Sequence, residues 1–63
     1  MRKITRIEAL VQASEAIQKK DYNKANKILE IIDRSISRDK AKNTYSTEIE
    51  ISREDKKYFH FDD

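Results

Sequence analysis

The sequence predicts an α+β fold: an antiparallel helical hairpin followed by a C-terminal β-hairpin, with a small three-helix domain as the alternative. Three observations predict it. Residues 2–20 and 23–42 carry apolar side chains at helical spacing, very few residues separate those two segments, and residues 45–62 switch to strand-like alternation.

The first helix is expected over about residues 2–20. Ile4, Ile7, Leu10, Val11, Ser14 and Ile17 form one stripe, Glu8, Gln12, Glu15 and Lys19 lie opposite, and Ala9, Ala13 and Ala16 flank the stripe. Alanine favours helix, and its small side chain lets a neighbouring helix come close. The second helix is expected over about 23–42, with Ala25, Ile28, Leu29, Ile32 and Ile36 on its apolar face. Asp21 or Asn23 can cap its first turn. Arg38, Lys40 and Lys42 suit its negative end, and Asn43 can terminate it in a left-handed conformation. Ile31 falls outside the main face and must meet the C-terminal segment, a second chain or solvent.

In the third segment Tyr45, Thr47, Ile49 and Ile51 alternate with polar residues, and "KYFHF" repeats the alternation with Phe59 and Phe61. A hairpin with Arg53–Asp55 as its loop sets Ile49 opposite Phe59 and Glu48 opposite His60. The competing reading is a short third helix over 53–60, because Ser52 and Asp55 have N-terminal box spacing.

The chain has 63 residues, which bounds it at a single domain covering 1–63. A domain of this size buries only about 60% of its unfolded surface and gains from self-association, so a homodimer is expected. Charged residues at 41% against 37% hydrophobic raise the question of disorder, but the periodic apolar positions, nine of them Ile, argue for a packed core. There is no Cys, which excludes disulfides and thiolate metal sites and favours the cytoplasm. Glu8, Gln12 and Glu15 break the apolar residues too early for a signal peptide, and no run is long enough to span a membrane.

Little in the sequence carries chemistry. The single His, His60, has no nucleophile and orienting acid at recognisable spacing, so no enzyme activity, catalytic residue or cofactor is expected. A metal site would have to join His60 to Glu48 and Asp62, a set matching no ligand spacing, so none is expected. Phosphate loops need glycine, and there is none. Residues 1–42 carry net charge +5 and residues 43–63 net −3. The two parts can attract each other, or the basic part can face an acidic partner. On the second helix Lys27, Arg34 and Arg38 share a side and could contact phosphates, although Glu30 and Asp33 intersperse them.

The stretch "AIQKKDYNKANKILEII" resembles the turn of a tetratricopeptide unit, with Asp21 and Tyr22 at the turn, Ala25 as the small residue of the second helix, Leu29 as the large residue after it, and Ala13 as the small residue of the first helix. Lys20 stands where the family places glycine, and no proline closes the unit. The resemblance covers residues 9–42 once, and implies one helical hairpin of a scaffold that elsewhere stacks in about three copies.

These features favour a small non-enzymatic regulator or inhibitor that binds another protein. Antitoxins and virus- or mobile-element-encoded anti-defence proteins are of this kind. Ile31, Tyr45 and Tyr58 are its expected contacts. A nucleic-acid-binding transcriptional regulator using the basic helical row is the alternative.

Overall fold

The computed structural model describes residues 2–61. Its element order is β1 (Arg2–Thr5), α1 (Arg6–Gln18), α2 (Tyr22–Ala41), β2 (Glu48–Ile51) and a short 3-10 helix at Asp55–Tyr58. The fold is α+β, with α1 and α2 packed as a helical hairpin. The strands on either side of the hairpin pair antiparallel, with Arg2 opposite Ile51, Lys3 opposite Glu50, Ile4 opposite Ile49 and Thr5 opposite Glu48.

Two local expectations are corrected. The first helix starts at Arg6, because Thr5 is its N-cap: its backbone is extended, and its hydroxyl accepts the Glu8 N–H at 3.1 Å. Ile4 therefore belongs to a strand. The expected partner of β2 within residues 45–62 is also replaced, since β2 pairs with β1. The chain turns after β2 because the Asp55 N–H reaches Ser52 O at 3.2 Å and Ser52 Oγ at 3.3 Å, while the Lys56 N–H also reaches Ser52 O. The Ser52–Asp55 signal thus initiates a single tight turn instead of a full helix.

Both helices end in the same way. Asp21 N–H bonds Ala16 O and Lys20 N–H bonds Ile17 O. Thr44 N–H bonds Asp39 O and Asn43 N–H bonds Lys40 O. This pairing satisfies the last carbonyls and requires a left-handed residue just beyond each helix. Lys20 (φ 62°) and Asn43 (φ 54°) fill those positions. Asparagine tolerates this conformation well, and lysine does so at a steric cost. Asp21 then caps α2 by accepting the Lys24 N–H at 3.3 Å.

The core joins three layers. Ala9 and Ala13 of α1 meet Ile28, Ile31 and Ile32 of α2, and Ile4, Ile49, Ile51 and Phe59 close the cluster from the strand side. The buried face of α1 is the alanine face, with Ala9 at 0% exposure. The expected stripe of larger side chains faces away, with Ile7 76% exposed and Leu10, Val11, Ser14 and Ile17 also exposed. Ala9, Ala13, Ala16 and Ala25, all buried, let the two backbones approach, and α2 and the strands supply the bulk.

Two polar clamps hold the outer segments. Gln12, buried on α1, donates to His60 O at 2.7 Å and accepts the His60 N–H at 2.8 Å, docking the C-terminal segment on the helix. Arg6 donates to Asp39 Oδ2 at 2.6 Å, and the same oxygen accepts the Ser46 N–H at 2.8 Å. That pair ties the start of α1 to the end of α2.

Candidate protein-docking face

Helical phase places the exposed apolar residues on one side of the hairpin. At 100° per residue, Leu10 and Ile17 lie just beyond Ala13 on α1, followed by Ser14, Ile7 and Val11. On α2, Ile36, Leu29 and Tyr22 lie just beyond Ala25 and Ile32, all three exposed. The two edges face the same way. Gln12, Lys24 and His60 line a hollow on the side covered by the C-terminal segment, whereas Arg6, Ile36 and Tyr45 line a hollow on the other. The strands cover one side of the hairpin and leave the other bare. Ile7, Leu10, Ser14 and Ile17 are uncharged, exposed and regularly spaced, which makes this side the candidate docking face.

The expected contact residues fall in different places. Ile31 is corrected as a partner contact: it is 5% exposed and packs in one cluster with Ile49, Ile51 and Phe59, so of its three expected covers it meets the C-terminal segment. Tyr58 is half-buried against the same cluster, with the Lys57 ammonium 5.3 Å from its ring centre. Tyr45 is 81% exposed, and the Arg6 guanidinium stacks over its ring at 5.3 Å.

The basic row is exposed on the outer face of α2. Glu30 sits within it, 3.8 Å from Lys27 and 3.7 Å from Arg34. Arg34 and Arg38 also border a hollow shared with Glu50 and Asp55. Surface pairs of this kind contribute about 0–1 kcal/mol, so their effect here is to dilute the positive field rather than to hold the fold. Glu48 and His60 are not set across from each other, because Glu48 pairs with Thr5, and Asp62 lies outside the described residues.

The α1 stripe is regular enough to pass for a core face, yet it is exposed. The signal for the opposite assignment was present: Ala9, Gln12, Ala13 and Ala16 form an equally regular helical face. No described helix is long and apolar enough to cross a membrane. Compared with protein-family models, curated proteins and solved structures, the chain matches none.

Proposed function

We propose that the protein is a small non-enzymatic regulator or inhibitor that works by protein–protein binding, as a homodimer. The observation that carries this reading is the bare apolar side of the hairpin, on which Ile7, Leu10, Ile17, Leu29 and Ile36 remain exposed in a chain with little core to spare. Fully burying an exposed side chain of this size is favourable by about 1.5–3 kcal/mol; Ile7 approaches that case, and the half-covered Leu10, Ile17, Leu29 and Ile36 each gain a part of it, so association is the outcome the surface favours. Tyr45, at one end of the hairpin, is the aromatic anchor for another protein. A cysteine-free chain needs no oxidising compartment, which supports action in the cytoplasm. The buried Ala13 and Ala25 and the turn at Lys20–Tyr22 fit one tetratricopeptide-like unit within this reading.

Affinity capture with and without nuclease tests the proposal, comparing the native chain with Tyr45→Ala and with a Leu10→Glu/Leu29→Glu variant. Partners that survive nuclease and disappear with these variants support it. A second reading rests on the exposure of Lys27, Arg34 and Arg38, which present a basic row to a phosphate backbone. Capture that is lost on nuclease treatment and on changing those three residues, and unchanged in the apolar variants, would replace the first reading with the second.

A further inference from the structure

We infer that the bare side of the hairpin is covered by a second copy of the chain, in an antiparallel four-helix arrangement with a defined register. This rests on the reading above that the side is a protein-docking face, and it names the occupant. A two-fold interface must be self-complementary, because each patch meets its own copy. The α1 stripe meets that condition. Ile7, Leu10, Ser14 and Ile17 are spaced three, four and three residues apart, so the pattern reads the same in both directions about residue 12. Placed antiparallel to itself, α1 sets Ile7 against Ile17 of the second copy, and Leu10 against Ser14. A large side chain meets a large one at the ends, and a small side chain makes room for leucine near the middle.

The second helix repeats the symmetry independently. Its exposed apolar residues Tyr22, Leu29 and Ile36 are spaced seven apart and are symmetric about Leu29. The turn between Gln18 and Tyr22 brings residue 12 of α1 level with α2 close to Leu29. One two-fold axis therefore serves both helices. It sets Leu29 against its own counterpart and Ile36 against Tyr22 of the second copy. Every neighbouring pair of helices is then antiparallel, as in up-and-down bundles.

Charge agrees with this occupant. None of the seven residues is charged, and the nearest acids do not meet their own kind: the register sets Glu8 against Ala16 and Glu15 against Ala9 on α1, and Asp33 against Ala25 on α2. A standard interface takes about 800 Å² per partner, about a sixth of the 5030 Å² exposed in total, so the proposed pairing needs both helices' exposed apolar residues and not the α1 stripe alone.

The native chain is expected to sediment at twice its 7.5 kDa over micromolar to millimolar concentrations. Ile7→Lys and Ile17→Glu should each weaken the dimer at least tenfold, and mixing the two in equal amounts should restore it in a salt-sensitive way. Because the chain has no native cysteine, cross-linking fixes the register without relying on altered stability. Leu29→Cys should oxidise to a disulfide-linked dimer. Ile7→Cys should not do so alone, but should cross-link in a mixture with Ile17→Cys. A native chain that stays monomeric throughout overturns the inference, as does a dimer unaffected by the charged variants or one in which Ile7→Cys cross-links to itself. A monomer in sedimentation leaves the capture comparison to decide the broader reading separately.

Discussion

The two sides of the helical hairpin are made from the same few residue types and are treated oppositely. On the strand side, Ile28, Ile31, Ile49 and Ile51 are sealed from water, with Gln12 and the C-terminal segment closing over them. On the other side, Ile7, Leu10, Ile17, Leu29 and Ile36 stand exposed. Isoleucine is abundant on both, so hydrophobicity does not separate them. What separates them is coverage: the chain has one pair of short strands and spends it on one side.

The comparison can be broken most forcefully at its covered side. Ile49→Ala removes a fully buried side chain that touches both helix and strand layers, and should cost about 2–5 kcal/mol in urea unfolding. A loss under 1 kcal/mol would mean that the strand layer holds little of the core. Ala9→Leu probes the close helix approach at a position with no exposed surface. Overpacking there should cost about 1–3 kcal/mol, and a neutral result would show that the helices can part to admit a larger residue. Lys20→Gly relieves the left-handed position between the helices and should stabilise by about 1 kcal/mol, read as a higher melting temperature. The smallest effect is expected on the bare side. In the isolated chain, Ile7→Ser should change unfolding by no more than about 0.5 kcal/mol. A concentration-dependent loss of melting temperature in that variant would report the interface instead of the core.

Much of the chain was readable in advance. Both helices, a cap at Asp21 or Asn23 (it is Asp21), the left-handed Asn43 and the alternation at Glu48–Ile51 each follow from local chemistry, and local chemistry prevailed. The first strand was hidden because Ile4 satisfies a helical spacing with Ile7 as readily as a strand. Thr5 followed by Glu8 was the capping signal that divides them. The facing of α1 could not be decided by hydrophobicity, since two regular stripes compete on one helix. Tertiary contact selected the alanines, whose small side chains let the two helices pack closely. The cover of Ile31 is undecided in the sequence for a related reason: it comes from Ile49, Ile51 and Phe59, which are distant along the chain. Of the expected contacts, Tyr45 alone lies fully open, and the bare side became visible only once the strands had chosen the other.

The pairing of β1 with β2 has a consequence for how the chain is made. The paired residues lie more than forty positions apart, on either side of the helical hairpin. During synthesis the helices emerge before the strand that seals them, so Ile28, Ile31 and Ile32 stay wet until residues 48–51 leave the ribosome. Helices faced with alanine gain little by pairing alone, and local structure has to wait for that late clasp. Both sides of the nascent hairpin are then apolar and wet at once, and only completion of the clasp distinguishes the side the chain seals from the side it leaves bare.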